Sequence, residues 1–121
     1  MPRNMSFALT TDQIRNRTKT VTRRIGWGFL NCGDIVNACV KCMGLKPGEK
    51  IERLGQIRIV STRIEPLSSM VHDMEYGYSE AAKEGFPGMT GCKFVVMFCD
   101  HMKPPFGSDT LVNRIEFEYL E

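Results

Sequence analysis

Residues 18–24 read Thr18-Lys19-Thr20-Val21-Thr22-Arg23-Arg24. Threonine and valine alternate over Thr20 to Arg24, a pattern that fits a pleated, half-buried surface and predicts a β-strand. The charge around this strand is lopsided. Between Asp12 and Asp34 there is no acidic residue, whereas Arg15, Arg17, Lys19, Arg23 and Arg24 all fall in that gap. The whole chain carries 16 Lys and Arg against 14 Asp and Glu, so without those five bases it is slightly acidic. The stretch is therefore expected to mark a local anion-seeking surface. A lysine beside threonines also suggests chemistry, because an amine with a depressed pKa can take a proton from a hydroxyl.

The pattern continues outward on both sides. Met5 to Leu9 reads as a first strand, and Thr10 with Gln13 fits a capping box that opens a helix over Thr11–Arg17. Ile25 to Asp34 is a glycine-punctuated loop, followed by a strand over Ile35–Met43, a Pro-Gly turn within Gly44–Glu49, and a longer strand over Gln56–Ile64. Leu67–Val71 fits one helical turn. Ser79 fits the N-cap of a short helix, Glu80–Glu84, stopped by Gly85. Thr90 caps a stronger helix, Gly91–Met102, with Phe94, Val95, Phe98 and Met102 on one face, ended by Pro104-Pro105. In Val112–Leu120, Ile115, Phe117 and Tyr119 alternate with Arg114, Glu116 and Glu118, as in a half-buried strand. Five strands with two or three short helices in 121 residues predict an α+β chain, a single domain over 1–121 built on a small mixed β-barrel.

Composition narrows the function classes. A net charge of +2 is too small to argue for nucleic acid by itself, so only the clustering does. No apolar run approaches the 18 or so residues of a membrane span, and the start does not fit a secretory signal; a cytoplasmic protein without a membrane partner is expected. The five cysteines, Cys32, Cys39, Cys42, Cys92 and Cys99, are expected to be free thiols. Cys39 and Cys42 have Cys-x-x-Cys spacing, but on a strand they face opposite sides, and no second pair completes four ligands. No metal is expected.

The run Lys19-Thr-Val-Thr-Arg-Arg24 followed by Gly33-Asp34 resembles the N-terminal signature of ASCH domains, which are similar in fold to PUA domains. Gly44-Leu-Lys-Pro-Gly-Glu-Lys50, Ile64-Glu-Pro-Leu67, Glu84-Gly-Phe-Pro87 with Phe94-Val95, and Arg114-Ile-Glu-Phe-Glu-Tyr119 extend the resemblance to small stand-alone ASCH proteins of bacteria and phages. Cys32 departs from it, where such proteins often carry proline. The resemblance implies a PUA-like barrel with a cleft beside the first strands and a link to RNA or nucleosides. Some single-domain members are amidohydrolases that remove an acyl group from N4-acetylcytidine with a threonine, a lysine and a glutamate. By the Lys-Thr-hydrophobic-Thr motif, Thr22 matches the reactive threonine and Lys19 its partner. Glu84 is the best match for the glutamate, with Glu80 second.

The chemistry those residues offer is consistent. Thr22 Oγ can attack an acyl carbon, and a desolvated Lys19 can accept its proton if burial outweighs the pull of a nearby anion. Glu84 can orient the lysine or pass a proton to the leaving amine. Arg23 or Arg24 and amides near Gly26 and Gly28 are candidate oxyanion donors. Trp27, Phe29 or Phe86 can stack on a base. Thr20, Arg17, Arg23 and Arg24 are candidate contacts to substrate or RNA. His72 and His101 read as structural, and the Phe and Met residues of the last helix as core. The leading expectation is a cofactor-free amidohydrolase acting on an N4-acylated cytidine or cytosine. The alternative is a non-catalytic RNA-binding module using the same cleft, with ribonuclease activity ranked below both. A nucleoside or RNA is the expected partner, and a monomer the favoured state.

Overall fold

A computed structural model describes residues 2–42, 44–103 and 105–120. Its elements are β1 (Arg3–Ser6), a 3-10 turn (Ala8–Thr10), α1 (Thr11–Arg15), β2 (Val21–Arg24), β3 (Ile35–Cys39), β4 (Arg53–Pro66), α2 (Ser69–His72), α3 (Met74–Lys83), α4 (Gly91–Met102) and β5 (Leu111–Tyr119). The strands form one sheet in the order β1-β3-β4-β5-β2. Only β1–β3 is parallel; the other pairs are antiparallel.

The 14-residue β4 organises the sheet: its first half pairs β3 and its second half β5. A register shift between Ile59 and Ser61 adds curl at the centre. The result is a curled half-barrel with β1 and β2 as its two edges, in keeping with the small mixed barrel expected. Phe7, Met5, Ile57, Ile59, Ile115 and Phe117 belong to one buried core. A second core, with Leu67, Met70, Ala81, Phe94, Val95 and Val112, joins the helices to the sheet. No helix among the described residues is long and apolar enough to cross a membrane.

Several boundaries differ from the sequence expectation. The first strand stops at Ser6, because Phe7 N–H takes the carbonyl of Cys39 where β3 ends and the chain then turns. The capping box does not form: the Thr10 side chain makes no cap bond, and Gln13 Nε2 donates instead to the Gly85 carbonyl at 3.3 Å. The strand expected over Ile35–Met43 ends at Cys39; Met43 and Pro104 lie outside the described residues.

The largest difference is α3, which begins at Met74 with Asp73 as its cap rather than after Ser79. Gly77 lies inside it and weakens the helical signal in sequence. Packing requires that glycine: a Cβ there would lie 2.2 Å from the Met70 carbonyl oxygen and 3.0 Å from Gly91 Cα. Gly77 and Gly91 thus let α2, α3 and α4 meet backbone to backbone.

Candidate functional site

Arg23 on β2 pairs with Arg114 on β5, and Arg114 pairs with Arg63 on β4. A row of like charges across a sheet is destabilising unless something answers it. The answer comes from α3 and its C-cap, where Tyr76, Glu80 and Glu84 recur every four residues and so share one face. Glu80 accepts from Arg23 Nη2 at 2.6 Å and from Arg114 Nε and Nη2 at 2.5 and 3.0 Å. Glu84 Oε2 accepts from Arg23 Nη1 at 3.0 Å. Glu65 takes Arg23 Nη2 at 2.9 Å, Arg63 Nε at 3.1 Å and the Tyr76 hydroxyl at 2.7 Å. Three buried cations, Lys19, Arg23 and Arg114, thereby face three buried carboxylates, Glu65, Glu80 and Glu84. Burial alone would raise the Glu80 carboxyl, but hydrogen bonds from Arg114 and Arg23 outweigh it and bring the group down to about 2.

The network fixes Glu84 at the end of α3. There the chain makes a Schellman turn: Phe86 N–H bonds to the Ala81 carbonyl and Gly85 N–H to that of Ala82, with Gly85 at φ +106°. Lys19 closes this helix end. Its Nζ donates to the Glu84 carbonyl oxygen at 2.9 Å and to Glu84 Oε1 at 2.8 Å, a favourable place for a cation. Lys19 is 3% exposed and Glu84 2%. Burial pulls the Lys19 pKa below the ordinary lysine value; Glu84 pulls it upward, and burial wins with help from Arg24 and Arg23.

Lys19, Thr22 and Glu84 line one cavity of about 290 Å³, at the lower end of the volumes typical of small-molecule sites. It straddles the seam between the two edge strands. Arg24 bridges that seam from β2, with Nη2 donating to the Ser6 carbonyl at 2.5 Å and its guanidinium lying 4.6 Å from the Phe7 ring centre. Arg24 Nε donates to Thr22 Oγ1 at 3.1 Å. Thr22 is the acceptor in that bond, so its own proton stays available for transfer. Burial lowers the Arg24 pKa to about 10, against the pull of Glu84, which keeps it a cation near neutral pH.

The expected substrate contacts divide into three groups. Arg24, Trp27 and Phe86 reach the cavity with Lys19, Thr22 and Glu84. Arg23 borders it, but its side chain is 0% exposed and both Nη atoms are held by carboxylates. Arg23 therefore positions Glu84, and Arg24 is the arginine beside the hydroxyl. Arg17, Thr20 and Phe29 are absent from the lining; Arg17 lies over Tyr119 at 5.5 Å instead. Of the base-rich stretch, Lys19 and Arg23 are spent inside the protein, while Arg15 and Arg17 stay exposed.

Sequence reading missed the far wall of the cavity. Phe94, Met97, Phe98, His101 and Met102 of α4 line it, although the Phe and Met residues read as core and His101 as structural. It also missed Glu65, Tyr76 and Arg114, because alternation in β5 placed Arg114 toward solvent. Among the described residues no group of three or more His, Cys, Asp or Glu side chains is arranged to hold a metal ion, and all five cysteines are free.

No family model matches the sequence, and comparison with curated proteins finds no match. Solved structures do match. Protein EF3133 from Enterococcus faecalis, of family DUF984, superposes with a TM-score of 0.64 at 15% identity, over 99% of this chain and 80% of that one. An ASCH domain from Lactobacillus crispatus gives 0.57 at 16% identity, over 97% and 78%. The curled half-barrel with its helices is therefore that of the PUA-like ASCH fold.

Proposed function

We propose that the protein is a small amidohydrolase that removes the acyl group from an N4-acylated cytidine or cytosine. The observation that carries this reading is the buried Lys19, bound to Glu84 at 2.8 Å and opening on the same cavity as the Thr22 hydroxyl. Thr22 Oγ1 attacks the acyl carbon while its proton passes to neutral Lys19. The new C–O bond leaves an oxyanion beside the Arg24 guanidinium. Collapse breaks the C–N bond, and the proton held by Lys19 goes to the departing amine. Water then cleaves the Thr22 ester, releasing the carboxylic acid and restoring the hydroxyl. Glu84 orients the lysine throughout, and Arg23 holds Glu84.

A small ligand is favoured over a long polyanion because two of the five bases of this stretch are internal and a third is paired at the surface. Lys19 and Arg23 are buried, and Arg15 is paired with Glu52. The test is chromatographic: cytidine released from N4-acetylcytidine by the wild type, by Lys19→Ala and by Lys19→Arg, each checked for folding by circular dichroism. Turnover by the wild type alone supports the reading. Turnover retained in both variants removes Lys19 as the base.

A further inference from the structure

Most polar groups lining the cavity are committed to one another. Both Glu84 oxygens accept, one from Lys19 and one from Arg23, and the Arg23 Nη atoms are held by carboxylates. Ser6 Oγ donates to the Val40 carbonyl at 3.2 Å, and Arg24 bonds Thr22 through Nε and the Ser6 carbonyl through Nη2. His101 is exposed, at the rim. Thr10 stands apart. It lines the same cavity and is only 7% exposed. It occupies the N-cap position of α1, where a threonine ordinarily accepts from a backbone N–H, yet its side chain makes no cap bond. The neighbouring Thr11 hydroxyl bonds the Phe7 carbonyl at 2.9 Å, whereas that of Thr10 has no partner among the described residues. Among those residues the one side-chain N or O atom that is both sealed off and unpartnered is Arg23 Nε, so the Thr10 oxygen stays open to the cavity. The 3-10 turn fixes its place, with Thr10 N–H on the Phe7 carbonyl at 3.1 Å.

We infer, resting on the amidohydrolase reading, that Thr10 is a substrate-recognition residue: its hydroxyl donates to the acceptor edge of the acylated base, N3 or O2 of a cytosine, and so holds the amide in place for Thr22. A buried hydroxyl without a partner is unfavourable, and a bound acceptor relieves it. The cavity is small enough to be filled by a base and its acyl group, so a hydroxyl fixed in its lining is within reach of the bound ring. An amide of the same outline without ring acceptors leaves Thr10 unanswered, which makes this residue a discriminator between substrates.

The test pairs N4-acetylcytosine with acetanilide, an amide of similar outline that lacks N3 and O2. Binding to Thr22→Ala is measured by calorimetry with Thr10 intact and with Thr10→Val added. KM and kcat for N4-acetylcytosine are compared in the wild type, Thr10→Val and Thr10→Ser. Because no cap bond is lost, Thr10→Val should keep the wild-type melting temperature. The expected result is at least about fivefold weaker binding of N4-acetylcytosine in Thr10→Val, with acetanilide unaffected. In turnover, KM should rise at nearly constant kcat, and Thr10→Ser should restore it. Equal weakening of both ligands, or of neither, overturns the contact; wild-type turnover in that case leaves the amidohydrolase reading standing. Selective weakening without hydrolysis by the wild type overturns the reaction and leaves the contact standing. If Thr10→Val does not fold, Thr10→Ala is read by the same criteria. If acetanilide binds too weakly to measure, the difference between Thr10→Ser and Thr10→Val decides.

Discussion

Replacing Glu80 with glutamine removes the one carboxylate shared by Arg23 and Arg114, while keeping nearly the same shape. Two routes give a similar magnitude. The Glu80 carboxyl falls to about 2 from an ordinary value of 4.5. At about 1.4 kcal/mol per pH unit, its native surroundings contribute about 3 kcal/mol at neutral pH. Independently, removing one partner from a buried ion pair costs about 3–5 kcal/mol, because the remaining charge is left uncompensated. Here two guanidiniums are left, in register on adjacent strands. Urea unfolding at pH 7 is therefore expected to show a loss of about 3 kcal/mol for Glu80→Gln. The folded pKa lies below the unfolded one, so this contribution is complete above about pH 4.5 and disappears as pH falls towards 2. The gap between wild type and variant should close over that same window. A cycle with Arg114→Met should recover about 2 kcal/mol as coupling between the two sites. A loss below about 1 kcal/mol at pH 7, with an unchanged denaturant slope, would refute the view that this network anchors α3 to the sheet.

Other consequences follow from the same geometry. Lys19 has to be neutral to accept a proton, and burial lowers its pKa, so kcat/KM for an N4-acylated cytosine should rise with pH to a plateau below the ordinary lysine value; a flat profile through that range would rule out Lys19 as the base. Gly91→Ala should cost roughly 1–3 kcal/mol in thermal or urea unfolding, since its Cβ would lie 1.9 Å from the Met70 carbonyl oxygen; an unchanged midpoint would show that α2 and α4 can separate freely. Arg15→Glu with Arg17→Glu should change kcat/KM for a neutral nucleoside less than about twofold at any salt concentration, because neither residue lines the cavity; a strong salt-dependent loss would favour a polyanionic ligand.

The parts of the fold that were legible in sequence are those whose signals are local. Thr90 caps α4 through Lys93 N–H at 3.0 Å, and α4 runs from Gly91 to Met102 as its apolar face requires. Gly85 stops α3 because the turn needs a positive φ. The strands around Thr22 and Phe117 follow from β-branched and apolar alternation, and they pair as neighbours in the sheet. What could not be read depended on the tertiary layer. Arg114 alternates like a surface residue and is buried only because α3 covers that end of the sheet. The start of α3 was hidden by Gly77, whose reason for being there is Met70 and Gly91. Had the helix been started at Met74, the spacing of Tyr76, Glu80 and Glu84 would have pointed to one acidic face opposite the arginines. The proximity of Lys19 and Glu84, 65 residues apart, rested on family resemblance; the geometry places them in contact.

Under the proposed function, Thr22 carries the reaction from the wall of this cavity. This role is tested most directly by kcat/KM on N4-acylated cytosines for the wild type and Thr22→Ala, prepared side by side and matched in thermal stability. Measurable wild-type turnover is expected, with a loss of at least about a thousandfold in the variant, as when a nucleophile is removed. Equal turnover by the two proteins would contradict it.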